Sequence, residues 1–253
     1  MKQVQVAAVS YLNTKPLLYG VKRSEALLAN TVIHEGYPSK IAQDLLSGKA
    51  HVGLVPVAIL PQLNNYTLIT DFCIGATQAV ASVCLFSKVP IEQVTTILLD
   101  YQSRSSINLC RVLLRHYWQK DVQLVAANEH FIEAIDGTTA GVIIGDRALT
   151  ALQHYPYVYD LAEHWIAYSG LPFVFAAWVC TATDLPQGWE ATFNTANAVG
   201  FEHLPAVIAE NNFPDYDLYR YYTQNISYRL DAAKLQGLNR YLELLKSMPP
   251  LPW

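Results

Sequence analysis

Apolar residues fall in short runs along this chain, and polar turn residues cut each run off sharply. The first run is Val4-Gln5-Val6-Ala7-Ala8-Val9; it stops at Ser10-Tyr11-Leu12-Asn13-Thr14, and Lys15-Pro16 opens the next stretch. Mostly apolar positions bounded by turn signals predict a buried strand. Proline is tolerated in the first turn of a helix, so residues 15–21 are expected to be helical. Thr31-Val32-Ile33 predicts a second strand. Pro38-Ser39 then opens a helix with Ile41, Ala42, Leu45 and Leu46 on one face and Gly48 placed to end it. Residues 52–57 are apolar enough to sit inside a parallel sheet. Strand, helix, strand, helix, strand is the order of an α/β unit.

A second series follows. Residues 66–75 and 81–86 predict strands, then 97–100, 122–125 and 140–145 do so again. Between them lie a helix running to Trp118, with Ile107, Cys110, Leu114 and Trp118 on one face, and helical stretches at 129–135 and 147–154. Residues 173–180 form a strongly apolar strand, and everything from Leu185 on predicts helices only. The last of these has Asp231 as N-cap and Leu235, Leu238, Leu242 and Leu245 as its stripe. An all-helical tail cannot build a third sheet. The chain is therefore expected to cross back at 173–180, giving an α/β fold of two lobes, 1–86 with 173–253 and 87–172. A ligand cleft between them is expected.

Composition narrows the function. At 253 residues, 52% hydrophobic and 15% charged, the chain can bury a core without disulfide or metal staples. No apolar run approaches the ~20 residues of a membrane span. A net charge of −4 without a basic stripe argues against nucleic acid as a partner. The four cysteines are far apart and form no C-x-x-C pair, as expected of buried thiols in a reducing compartment. With no secretory signal pattern at the amino end, a cytoplasmic location is expected.

Candidate chemistry sits at strand ends. Ser10, Asn13 and Thr14 follow the first strand, at the carboxyl edge where open α/β sheets bind ligands; an ordinary strand-to-helix turn fits equally. Ser103, Arg104, Ser105 and Ser106 stand where the next helix begins, either as an anion site or as an N-cap with an exposed arginine. Gly145-Asp146-Arg147 is a third such turn, with Asp146 as a candidate N-cap. Gly170 and Pro172 fit a hinge, and Phe173, Phe175 and Trp178 face either a ligand or the core. No H-E-x-x-H, G-x-S-x-G, G-x-G-x-x-G or Walker-type loop is present, so no metal or cofactor is expected. That leaves binding, or a reaction that needs mainly positioning.

Several segments together carry a family resemblance. Val9-Ser10-Tyr11-Leu12-Asn13-Thr14-Lys15-Pro16-Leu17, Gly53-Leu54-Val55-Pro56-Val57, Leu99-Asp100 with Ser103 to Ser106, and Gly145-Asp146 recur in order. So do Trp165 with Ser169-Gly170-Leu171-Pro172-Phe173-Val174-Phe175-Ala176-Ala177-Trp178, and the late Asn225-Ile226-Ser227-Tyr228. The chain resembles the MqnA/MqnD family of menaquinone biosynthesis, which holds the chorismate dehydratases of the futalosine route and their sister 1,4-dihydroxy-6-naphthoate synthases. The Tyr-Leu-Asn turn favours the dehydratase branch. The resemblance implies a type II periplasmic-binding-protein-like fold. It also implies a hydro-lyase that converts chorismate to 3-[(1-carboxyvinyl)oxy]benzoate plus water. It places Asn13 at the reacting carbons as a polarising amide, and Ser82, Ser103, Arg104, Ser105 and Ser106 on the substrate carboxylates. Ser10, Tyr11, Thr14, Gly145 and Asp146 complete the expected contacts. The alternatives are a cytoplasmic solute-binding module for a small carboxylate, or the sister synthase.

Overall fold

The run 4–9 forms a strand in which Gln5 alone escapes full burial. A computed structural model describes residues 3–249 and 251 of the chain. Its strands in chain order are β1 (Val4–Val9), β2 (Thr31–Gly36), β3 (Val52–Pro56), β4 (Thr67–Ala76), β5 (Val83–Ser87) and β6 (Thr96–Leu99). They continue as β7 (Gln123–Ala126), β8 (Thr139–Ile144), β9 (Tyr157–Asp160), β10 (Phe173–Cys180) and β11 (Ser227–Arg229). Among the described residues these make one sheet in the order β11-β4-β10-β3-β1-β2 and another in the order β7-β6-β8-β5-β9. β1 runs parallel to β2 and β3, while β10 lies antiparallel between β3 and β4. The chain passes between the sheets after β4 and again before β10.

All eight residues of β10 are buried, as suits a strand covered on both faces. Phe173 packs edge-on against Trp165 at 5.5 Å and Tyr241 at 4.9 Å, and Trp178 against Phe193 at 4.8 Å. These rings are core, each buried Phe contributing about 1.5–3 kcal/mol. Gly170 (φ +70°) ends helix Leu161–Ser169 just before the chain crosses back. The four cysteines are free and buried, and burial pushes the thiols of Cys73 and Cys110 up to about 12. No helix among the described residues is long and apolar enough to cross a membrane.

Backbone contact fixes the helix after the first polar turn. A Cβ on Gly200 would stand 1.9 Å from the Pro16 carbonyl oxygen, and one on Gly20 would stand 2.3 Å from that of Ala196. Only glycine permits this approach. It clamps helix Lys15–Val21 onto helix Trp189–Glu202, and so fixes where the 10–14 turn emerges.

The structure differs from the sequence pattern in several places. The strand expected at 81–86 in the first lobe is β5, which pairs with β8 and β9 in the second sheet. A fully buried apolar strand carries no mark of which sheet it will join. The tail is not all helical: three-residue β11 pairs with the edge of β4, too short for an alternating pattern to show. β9 and helix Leu161–Ser169 lie where no element was expected, while 129–135 holds only a 3-10 turn, Phe131–Ala134. Leu46 and Leu235 face outward, at 43% and 38% exposure. The buried side of helix Ala232–Lys246 is instead Lys234, Gly237, Leu238, Tyr241 and Leu244. Tyr241 sets that rotation: its hydroxyl donates to the Ser105 carbonyl at 3.0 Å in the buried core.

Candidate active site

Four polar turns converge between the sheets. β1 delivers Tyr11, Asn13 and Thr14, the 80–82 crossing brings Ser82, β6 leads to Ser103, Ser105 and Ser106, and β8 ends at Gly145. These eight line one small cavity of about 60 Å³, walled by apolar groups that include Val9, Pro56, Ile74, Ile144 and Phe175. No lining residue carries a formal charge. The other expected site residues stand elsewhere. Ser10 is exposed, with its N–H on the Gly36 carbonyl. Arg104 is exposed and borders a separate cavity.

Asp146 has a different place from the N-cap expected of it. Helix Asp146–Ala151 begins on it, and Gly145 precedes the helix at φ +66°. A side chain there would be strained, and its Cβ would stand 3.2 Å from the Tyr11 ring. The Asp146 carboxylate reaches across to accept the Leu12 N–H at 3.1 Å. Burial pushes its carboxyl above the ordinary range, against the opposing pull of the Leu12 N–H and Lys15.

Hydrogen bonds decide which groups are free. Ser105 Oγ donates to the Phe175 carbonyl at 2.8 Å and accepts the Ala58 N–H at 3.2 Å, so this hydroxyl ties the sheets together. Ser103 Oγ accepts the Ser106 N–H at 3.1 Å, capping helix Ser105–His116. Ser82 Oγ accepts from the buried Tyr221 hydroxyl at 2.8 Å, which leaves its own proton available. The Asn13 carbonyl oxygen accepts the Tyr228 hydroxyl at 2.9 Å, and its Oδ1 accepts from Thr14 Oγ1 at 3.1 Å. The Asn13 NH₂ group is thereby left for the cavity. Tyr221 and Tyr228 were not expected at the site; Tyr228 lies in the late Asn225–Tyr228 segment of the resemblance, which gave it no site role, and nothing in its local sequence marks Tyr221.

A second network spans the lobes beside the cavity. Arg147 Nη2 donates to Asp100 Oδ2 at 2.6 Å and to Gln102 Oε1 at 3.1 Å. The Tyr11 hydroxyl, from the other lobe, also donates to Gln102 Oε1. Asp100 is fully buried; burial pushes its carboxyl up, and Arg147 with the Gln102 N–H only partly offsets this. Burial, reinforced by Asp100, holds the Tyr11 phenol well above its ordinary value, so it serves as a donor. Among the described residues no group of His, Cys, Asp and Glu is placed to hold a metal ion.

A cavity of hydroxyls, one amide and the start of a twelve-residue helix suits an anionic ligand held by dipoles rather than by cations. The chain is 26% identical to the chorismate dehydratase of Thermus thermophilus over 93% of its own length and 92% of that protein's. Its fold matches a protein from Archaeoglobus fulgidus with TM-score 0.78 at 14% identity, over 97% of both chains. It also matches a Candida albicans gene product described as exhibiting the generic periplasmic binding protein structural fold. That match has TM-score 0.68 at 12% identity, over 99% of this chain and 92% of the other. The family model for menaquinone biosynthesis matches residues 4–247, and the chain belongs to that family.

Proposed function

We propose that the chain is a hydro-lyase that converts chorismate to 3-[(1-carboxyvinyl)oxy]benzoate and water. The observation that carries this reading is the end-to-end likeness to a chorismate dehydratase, within which Asn13 faces an uncharged, hydroxyl-lined cleft. In the product the enol ether stays on C3, so the bonds that break are C3–H and C4–O. The hydroxyl leaves C4 and takes up a proton to depart as water, and the ring becomes aromatic. Aromatisation supplies the driving force, and the protein supplies orientation and hydrogen bonds to the developing charge. The Asn13 amide and the Ser82 hydroxyl are the free donors beside the reacting carbons. A neutral amide is a poor base, so Asn13 polarises rather than abstracts. Ser103, Ser106 and the start of helix Ser105–His116 face the carboxylates, while Tyr11, Thr14, Ser105 and Gly145 shape the walls.

A cavity of about 60 Å³ is far below the 300 Å³ or more of ordinary ligand pockets. Binding therefore requires the lobes to part and reclose, breaking ties such as Tyr11–Gln102 and Leu12–Asp146. The test is incubation of the purified protein with chorismate, with chromatography and ultraviolet detection beside an enzyme-free blank. Formation of the enol-ether benzoate supports the reading. Thermal stabilisation by chorismate without conversion moves it to a carboxylate-binding module, which the periplasmic-binding-protein likeness favours. Neither response removes chorismate as the substrate.

A further inference from the structure

A second cavity, of about 480 Å³, shares only Ser103 with the cleft lining. It forms where the turn Val57–Gln62, the start of helix Ser105–His116 and the segment after helix Ala232–Lys246 meet. Three cations line it: Arg104, Arg111 and Lys246. Among the described residues none of them is in an ion pair. The one acid in the lining, Asp100, is already committed to Arg147.

Arg111 is the telling member. It is 6% exposed, donates from Nη1 to Asn108 Oδ1 at 2.7 Å and from Nη2 to the Pro249 carbonyl, and its buried Nε has no partner. Two neutral acceptors do not neutralise a buried guanidinium, and an uncompensated buried charge is costly. Burial accordingly pulls the Arg111 pKa down. The remaining wall is largely apolar, with Leu99, Ile107, Leu245 and Met248.

We propose that this cavity is a second binding site, for an organic anion with a carboxylate head and an apolar body of about one ring. Guanidinium groups match a carboxylate in charge and shape. The hydrocarbon wall takes the body, and the volume lies within the range of small-molecule pockets. The occupant would rest against the 100–106 turn, whose Ser103 also borders the cleft. The site stands independently of the reaction assigned to that cleft.

The test is a fluorine NMR titration of 3-fluorobenzoate against the full chain. Two cavity variants enter it, Arg104→Gln/Lys246→Gln and Ala126→Trp, all at exposed positions, with Asn13→Leu as the cleft control. Wild type is expected to bind saturably, and the double variant about tenfold or more weakly. Ala126→Trp fills the cavity and should abolish binding, while Asn13→Leu should retain it. No saturable binding by wild type, or binding by both cavity variants equal to that of wild type, would overturn the proposal, as would loss only in Asn13→Leu. Displacement of the probe by inorganic phosphate at equal concentration would overturn the carboxylate assignment.

Discussion

Asn13 is held from two sides. Its backbone carbonyl accepts from Tyr228 and its Oδ1 from Thr14, and the residue lines the cleft. Loss of one such bond costs roughly 1 kcal/mol, so Tyr228→Phe should lower kcat by about fivefold to tenfold with KM little changed. Steady-state kinetics on chorismate checks this, and a rise confined to KM would count against the positioning role. Residues of this kind are only half legible from sequence. Polar groups at strand ends declare themselves because the sheet edge is where ligands sit, and Asn13, Ser82 and Ser103 come out that way or by resemblance. Tyr221 and Tyr228 do not, because they reach the site from 139 and 215 residues further along the chain. Arg104 shows the converse: a helix-start pattern locates the residue but not the direction of its side chain.

At the scale of elements, apolar runs and caps carry most of the information. Asp231 is the clearest cap, accepting the Lys234 N–H at 2.8 Å. That bond, helped by the Lys234 charge, holds its carboxyl below the ordinary range. The sign follows: the cap's contribution is full above the ordinary carboxylate value and is lost as pH falls through the lowered one. Asp231→Ala should therefore cost about 1 kcal/mol near neutrality, and its melting-temperature gap to wild type should close in acid. A gap that stays constant across the titration would refute the assignment. What the pattern could not supply is partnership. β5 reads the same in either sheet, and β11 is three residues long. The final helix turns its Tyr241 side inward because a distant carbonyl on Ser105 accepts that hydroxyl.

For the whole molecule, two crossings between two sheets place the site at the boundary between them. Tyr11 to Gln102 and Leu12 to Asp146 are among the polar ties across it, beside those of Ser105. Gln102→Ala should weaken closure by about 1 kcal/mol, raising the radius of gyration in small-angle scattering and the KM for chorismate. An unchanged scattering curve and KM would mean that the tie does not govern closure. The double crossing was legible from the order of elements, whereas the tightness of the cleft depends on contacts that no local pattern encodes. The central claim is that this cleft dehydrates chorismate with Asn13 at its reacting centre. The most direct measurement is turnover of chorismate by wild type and Asn13→Ala in the same assay, with chorismate affinity of the variant taken by calorimetry. The account predicts product from wild type and, in the variant, near-normal binding with kcat lower by about 100-fold or more. An Asn13→Ala protein with wild-type kcat would contradict it.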